Sequence, residues 1–339
     1  MDISEQQYYD RHIKLNGFGA IAQEKLLQAK VLVIGAGGLG CPLLQYLATA
    51  GIGTIGVVDG DVVAVSNLHR QILYNIDDVG LSKAETAVKK LKRLQPSIDI
   101  KPYAFNLSNQ NALALFAEYD LIIDGTDNFA TRYLVNDACV AQNKPLVSGA
   151  IQDYMGQISV FNYQDGPTYR CLYPDAPADD DCTSCSINGV LNVLPGIVAL
   201  YMANEVIKVL SGYGDVLSGK LLLIDIQKNE HRLLSFEAIA ANKHVKALNP
   251  IEHVLSSVEV IRYRDLNQFT QLIDVREPWE FEEHNIGGIN IPVHEIIYRK
   301  NEIDKNKQVI LLCQSGKRSH TAAVLLKKDN YDILLAKLN

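Results

Sequence analysis

The chain is short of several things. Six cysteines are spread over 339 residues, too few to staple a disulfide scaffold, and they suit the reduced thiols of a cytoplasmic enzyme. Cationic residues are outnumbered, with Lys+Arg 32 against Asp+Glu 39 and a formal net charge of −7. That balance excludes a general nucleic-acid coat, although not a local basic pocket for an anionic substrate. No apolar run is long and unbroken. The longest, Val193 to Leu210, is interrupted by Asn204, Glu205 and Lys208, so no membrane span is expected. Met1-Asp2-Ile3-Ser4-Glu5 has neither a basic nor an apolar leader segment, and no signal peptide is expected. What is plentiful is apolar side chain, at 47% hydrophobic against 21% charged, enough for packed cores and incompatible with global disorder. The length suits two domains.

The first half alternates buried strand-like runs with amphipathic segments, the pattern of a Rossmann-like, doubly wound parallel sheet in an α/β protein. Val31-Leu32-Val33-Ile34, Thr54 to Asp59, Leu121 to Asp124 and Pro145 to Ser148 read as strands. From Gln157 to Asn162 and Lys220 to Ile226 the runs suggest an antiparallel extension, with a helix over Pro195 to Leu210 closed by Gly212. Asp165 to Asp181, rich in Gly, Pro and Asp, reads as a mobile surface loop. The resulting division is a first domain over 1–240, a linker over 241–257 and a small α/β domain over 258–339. In the latter, Leu272 to Val275 and Val309 to Leu312 read as strands and His320 to Lys328 as a helix.

Gly35-Ala36-Gly37-Gly38-Leu39-Gly40 follows a strand and opens a helix, and Asp59 ends the next strand. Glycines there let backbone N–H groups approach a phosphate, while the carboxylate can accept from ribose hydroxyls. This is a dinucleotide fingerprint, which leaves a nicotinamide-dependent oxidoreductase open. The residues beyond Asp59 favour a triphosphate instead. Ser66-Asn67-Leu68-His69-Arg70-Gln71 and Lys83 supply cations and amides that a pyrophosphate at a helix end does not need. Charge developing at an α-phosphate does need them. Lys83 also opens a segment carrying Lys89, Lys90, Lys92 and Arg93, which reads as a solvated face rather than a site. Asp124 and Asp127, in Asp124-Gly125-Thr126-Asp127-Asn128, stand where open α/β sheets bind ligands. Either could share magnesium with phosphate oxygens, and Asp124 could instead be a buried turn carboxylate.

With Tyr9-Asp10-Arg11-His12 and Asp59-Gly60-Asp61 added, the set over residues 8–235 resembles the adenylyltransferases that activate molybdopterin-synthase and thiamine-pathway sulfur carriers, relatives of ubiquitin-activating enzymes. The resemblance implies ATP bound by Gly35, Gly37, Gly38, Gly40, Asp59, Asp61, Ser66 to Gln71, Lys83, Asp127 and Asn128, with magnesium on Asp127. It also implies a homodimer in which Arg11 reaches the partner's phosphates. A carboxylate nucleophile is already ionised near neutrality, so no general base is required.

Cys41 and Cys139 read as small core residues. Members of that family hold zinc with paired Cys-x-x-Cys motifs. Here Thr168 stands three before Cys171, where a ligand is expected, and no cysteine lies near Ala241–Leu248. Cys182-Thr183-Ser184-Cys185 has no partner pair, so zinc is not expected. Cys185, in Cys185-Ser186-Ile187-Asn188-Gly189-Val190, sits where some members link covalently to the carrier; a dispensable loop cysteine is the other reading. Cys313-Gln314-Ser315-Gly316-Lys317-Arg318-Ser319 follows a strand and opens a helix, a cradle that stabilises a thiolate or bound anion. With Asp274-Val275-Arg276-Glu277 and Asn290-Ile291-Pro292 it resembles a rhodanese domain over 258–338, without its last helix. Together these imply adenylation of a ubiquitin-like sulfur carrier, then sulfur transfer from a Cys313 persulfide fed by a donor such as a cysteine desulfurase. The competing readings are an oxidoreductase with an appended sulfurtransferase and a non-catalytic carrier-binding scaffold.

Overall fold

The structure is a computed structural model; it describes all residues except Asp2, 175–188, 246–247, 249–259, 263–269, Ser315, Lys328, Asn330 and 338–339. The chain divides into two compact units. The first is built on an eight-stranded sheet of order β3-β2-β1-β4-β5-β6-β7-β8. β1 (Lys30–Ile34), β2 (Thr54–Val58), β3 (Asp99–Tyr103), β4 (Leu121–Asp124) and β5 (Leu146–Gln152) run parallel. β6 (Met155–Phe161), β7 (Lys220–Asp225) and β8 (Glu230–Ser235) continue it antiparallel, as the sequence predicts.

Alternation along β1 shows why the sheet is covered on both faces. Val31 and Val33 join one core with Leu43, Leu47, Ile55 and Met202, while Leu32 and Ile34 join another with Phe116, Ile122 and Leu134. The helices of this unit are α1 (Ile3–Tyr8), α2 (Asp10–Ile13), α3 (Gly19–Gln28), α4 (Gly40–Ala50), α5 (Lys83–Leu94), α6 (Ala112–Ala117), α7 (Phe129–Ala141), α8 (Tyr169–Leu172) and α9 (Val193–Ser211). By length and apolar composition α9 could cross a membrane; here it packs on α3, α4, β5 and β6, with Leu194, Val198, Met202 and Val206 fully buried. Gly212 ends it at φ 79°, the left-handed conformation in which glycine carries no side-chain penalty.

Two strands escape a reading by apolar pattern because they are edges. β3 buries only Ile100 and carries Pro102, and β8 is exposed along its whole length, so neither shows an apolar alternation. The expected loop from Asp165 is corrected over its first part. Thr168 and Tyr169 are buried, α8 begins there, and the Tyr169 ring packs edge-on against Tyr133 and Phe161. Gly166 and Pro167 mask that aromatic anchor in the sequence; the remainder of the loop lies outside the described residues.

The second unit has a parallel sheet of order β11-β10-β12-β13-β9: β9 (Val260–Arg262), β10 (Thr270–Asp274), β11 (Ile289–Asn290), β12 (Gln308–Cys313) and β13 (Ile333–Lys337). Its helices are α10 (Pro278–Glu283), α11 (Ile296–Arg299) and α12 (Lys317–Lys327). α12 starts three residues before the expected His320, directly against the Cys313 loop. The predicted linker lies for the most part outside the described residues.

Candidate active site

Strand order reverses between β1 and β4 in the first unit, which opens a crevice at their carboxyl ends. The glycine loop fills that position. Gly35 has φ 95°, and a β-carbon on it would lie 3.1 Å from the Gly125 carbonyl oxygen, so the loops after β1 and β4 touch. A β-carbon on Gly40 would lie 2.1 Å from the Gly35 oxygen; only glycine closes this turn into α4. Gly37 faces the Gln71 amide and Gly38 faces Arg70 and Pro195. The glycine turn and the 66–71 segment, far apart in sequence, therefore line one cleft.

Asp59 is its hub. One carboxylate oxygen accepts from Ala36 N–H and the other from Asp61 N–H, each at 2.8 Å. Burial pushes its carboxyl above the ordinary value, with Lys83 working against that. Lys83 is 7% exposed and lies 3.4 Å from the Asp61 carboxylate. It is thus separated from its neighbours on α5, where Lys89 and Lys92 are exposed and Lys90 pairs with Asp78; the solvated-face reading fails for Lys83. The sequence did not single out Tyr74, whose buried hydroxyl lies 2.9 Å from the Ala36 oxygen and 3.1 Å from the Lys83 oxygen. It ties the glycine loop to the start of α5. Gln71 is buried with no hydrogen-bond partner on Oε1, and it is its Nε2 that lies beside Gly37.

The other expected ligands fall into two groups. Arg70 donates to the Ser66 carbonyl oxygen and lies 3.1 Å from the His69 ring, so Ser66 and exposed His69 hold it at the cleft. Asn67 ends a short 3-10 turn. Leu68, by contrast, packs against the core and offers a ligand only apolar contact. Asn128 caps α7, accepting from Thr131 N–H at 2.9 Å, which takes up the amide oxygen expected to face a nucleotide. Asp124 takes the turn reading: 1% exposed, it accepts from Thr126 N–H, Thr126 Oγ1 and Ser148 Oγ. Asp127 is exposed at the crevice mouth. A lone carboxylate there fits a magnesium ion that arrives with the triphosphate and takes its other ligands from phosphate and water.

Arg11 is placed elsewhere. Its helix α2 packs on α3, His12 Nδ1 meets Gln23 Oε1 at 2.9 Å, and Gln23 Nε2 donates to the Ala50 oxygen. Tyr9 covers Gly51. Arg11 thus belongs to the carboxyl end of α4, whereas the glycine loop is at its amino end.

Cys41 and Cys139 are fully buried, and burial pushes the Cys41 thiol up to about 12 and the Cys139 thiol well above its ordinary value. Cys182 and Cys185 lie outside the described residues. The segment from Thr168 to Cys171 packs against Ile239 to Asn242. Ile239 N–H donates to Cys171 Sγ at 3.2 Å, the Thr168 hydroxyl is 3.4 Å from that sulfur, and Asn242 Nδ2 donates to the Arg170 oxygen. This is a hydrogen-bonded clasp with one sulfur, and no group of three metal-binding side chains occurs among the described residues; tetrahedral zinc does not fit it.

In the second unit Cys313 ends β12, fully buried. Its sulfur accepts from Gly316 N–H at 3.1 Å and Ser319 N–H at 3.3 Å and donates to Ser319 Oγ at 3.4 Å. Gly316 at φ 88° turns the loop into α12. Beneath it, Asp274 and Arg276, 0% and 2% exposed, form an ion pair of 2.6 Å, and Arg276 also donates to the His284 oxygen. The arginine expected to face the thiol, Arg318, is instead held through both terminal nitrogens by Glu280. Its cationic field at Cys313 is therefore shared with a carboxylate. Glu280 was not singled out in the sequence, although the Glu277–Glu280 spacing after a strand is a capping-box pattern.

Residues 9–258 match the ThiF family and residues 259–337 the rhodanese-like domain. The chain is 38% identical over 347 residues to a protein of Mycobacterium tuberculosis named probable adenylyltransferase/sulfurtransferase MoeZ, covering 95% of this chain and 88% of that one. It is 36% identical over 350 residues to the probable molybdopterin-synthase adenylyltransferase of Porphyra purpurea, covering 99% and 92%. Among solved structures, E. coli MccB with MccA-N7isoASN superposes with a TM-score of 0.61 at 25% identity over 69% of this chain and 72% of that one.

Proposed function

The chain belongs to the ThiF family, with a rhodanese-like domain behind it, and from that premise we propose that it adenylates the C-terminal carboxylate of a ubiquitin-like sulfur carrier and then converts it to a thiocarboxylate. The observation that carries this is the cleft in which the glycine loop, Asp59, Arg70, Gln71 and Lys83 converge. The carboxylate attacks the α-phosphorus and pyrophosphate leaves. Mutual repulsion of the two anions is the barrier, and Arg70 and Lys83 offset it while the glycine N–H groups hold phosphate; magnesium, which Asp127 would hold, would supply further positive charge at the phosphates. Asp59 receives the ribose.

Cys313 persulfide, loaded by a donor such as a cysteine desulfurase, attacks the acyl-adenylate; the acyl–oxygen bond breaks and AMP leaves. A second thiolate, which we assign to Cys185, attacks the Cys313 sulfur of the acyl disulfide. Thiocarboxylate departs, and the disulfide left between the two cysteines is reopened by an external thiol reductant. The Porphyra relative's name makes a molybdenum-cofactor carrier the first candidate; thiamine-pathway carriers are the comparison. The working unit is a homodimer in which Arg11 reaches the partner's cleft; an apolar depression of about 450 Å³ among His12, Tyr46, Leu200, Asn204 and Ile207 lies at that end of α4. Reduced thiols suit a cytoplasmic setting.

Intact-mass spectrometry of candidate carriers with enzyme, Mg-ATP and a sulfur donor tests the scheme. Oxygen-to-sulfur exchange that requires ATP and is lost in Cys313→Ala is expected. AMP formation without any carrier modification overturns the sulfur-transfer half, and no ATP-dependent change in any carrier overturns the adenylation half.

A further inference from the structure

Two features of the Cys313 loop stand apart from persulfide chemistry as such. First, the guanidinium beside the thiol is already occupied. Arg318 presents both terminal nitrogens to Glu280, at 2.8 Å for Nη2 to Oε1, with side chains 25% and 18% exposed. Glu280 is itself anchored, since Oε2 also accepts from Glu277 N–H at 3.0 Å, and Pro278 starts α10 beside it. Burial is the largest influence and would raise the Glu280 carboxyl, but the bonds from Arg318 and Glu277 N–H and the charges of Arg318 and Arg276 together hold it below the ordinary range; Arg318 is correspondingly raised by Glu280. Second, among the described residues two backbone donors of the loop are turned inward: Gly316 and Ser319 N–H point at Cys313 Sγ. Arg276, the other nearby guanidinium, is buried on Asp274.

A sulfonate or phosphate head needs a free guanidinium fork and spare N–H groups. This loop has its fork filled by a carboxylate, which also repels an incoming dianion. We propose that Glu280 is the specificity residue of the sulfur loop: by occupying Arg318 it excludes oxyanion-headed sulfur donors and reserves Cys313 for persulfide carried on a thiol. This rests on reading the loop as a sulfur carrier. With a thiol-borne persulfide, Cys313 thiolate attacks the outer sulfur, the S–S bond breaks and the donor thiolate leaves, so Cys313 becomes the persulfide. With thiosulfate the same attack expels sulfite with the electron pair. The two reactions form the same product and differ in the leaving group the loop must hold.

The full-length protein is incubated with cysteine persulfide or with thiosulfate, and addition of one sulfur atom at Cys313 is followed by mass spectrometry, with Cys313→Ala as control. Wild type is expected to load from persulfide and at least about tenfold more slowly from thiosulfate. Glu280→Gln, which opens the fork, is expected to speed thiosulfate loading about tenfold with persulfide loading little changed. Glu280→Asp, which keeps the charge, is expected to behave as wild type. Equal loading of wild type from both donors overturns the proposal without any variant, as does an unchanged thiosulfate rate in folded Glu280→Gln. Glu280→Asp behaving like Glu280→Gln overturns it too, because geometry rather than charge then decides. Loading from neither donor overturns the sulfur-carrier reading itself.

Discussion

Arg11 offers the sharpest quantitative test of how the nucleotide cleft is completed. α4 has 11 residues between the glycine loop and the end on which α2 sits, so at 1.5 Å per residue the two are separated by about 16 Å along its axis. A fully extended arginine reaches roughly 7 Å from its Cα, six bonds of about 1.5 Å in zigzag. Arg11 therefore falls well short of the Gly35–Gly40 loop of its own chain. If it contacts phosphate, it does so in a second copy. Arg11→Ala and Arg70→Ala are each expected to lower ATP–pyrophosphate exchange about 10²–10³-fold, the usual effect of losing one charged donor at a developing oxyanion. Mixing the two inactive variants after subunit exchange makes half the dimers mixed. Each mixed dimer holds one cleft with an intact Arg70 from one chain and an intact Arg11 from the other, so exchange should recover to about one quarter of wild type. No recovery, with mixed dimers verified by native mass spectrometry, would refute contribution across the dimer. Wild-type activity in Arg11→Ala would remove Arg11 from the reaction altogether.

Other consequences follow from burial and close approach. Lys83→Met keeps the volume and removes the charge, and exchange should fall about 10²–10³-fold while the circular dichroism spectrum stays native; an intact rate would leave Lys83 as merely the partner of Asp61. Gly40→Ala should abolish ATP binding or folding, because its new carbon would meet the Gly35 oxygen at 2.1 Å; tight nucleotide binding by calorimetry would contradict that backbone. Asp274→Asn strands the Arg276 charge, which is 2% exposed, and should destabilise the second unit by about 3–5 kcal/mol in denaturant unfolding. A loss under about 1 kcal/mol would mean the guanidinium finds another anion. Cys41 ionises near 9.0 when unfolded and near about 12 when native. Its contribution to stability is therefore complete below pH 9 and is lost as pH rises through that window, and Cys41→Ala should flatten alkaline unfolding there. An unchanged pH profile would show that other groups set it.

Much of the cleft could be read along the chain because its chemistry is local. The turn Gly35–Gly40, the carboxylate nineteen residues after Gly40 and the strands Val31–Ile34 and Leu121–Asp124 each depend on nearby residues and a two-residue period, which sequence carries directly. So does the Cys313 turn, where strand, glycine and helix follow within a few positions. Which polar side chains remain for a ligand was not legible. Asn128 and Asp127 are neighbours, yet one amide is taken by the first turn of α7 while the other carboxylate stays exposed, and Lys83 differs from Lys89 only in how α5 lies on the sheet. Edge strands β3 and β8 were also hidden, since a strand that buries one side chain, as β3 does with Ile100, or none, as β8, has no apolar alternation to show.

The amino-acid order alone determined the two α/β units, the phosphate turn and the thiol loop, because glycine placement and apolar spacing act over a few residues. Only the tertiary structure decided that Asp124 is a turn carboxylate, that Arg11 is a helix length from its own cleft, and that Glu280 holds Arg318. Those outcomes depend on contacts such as Ser148 with Asp124, Arg318 with Glu280 and Tyr9 with Gly51, whose pairing is set by the packing of whole helices on the sheets rather than by any local preference.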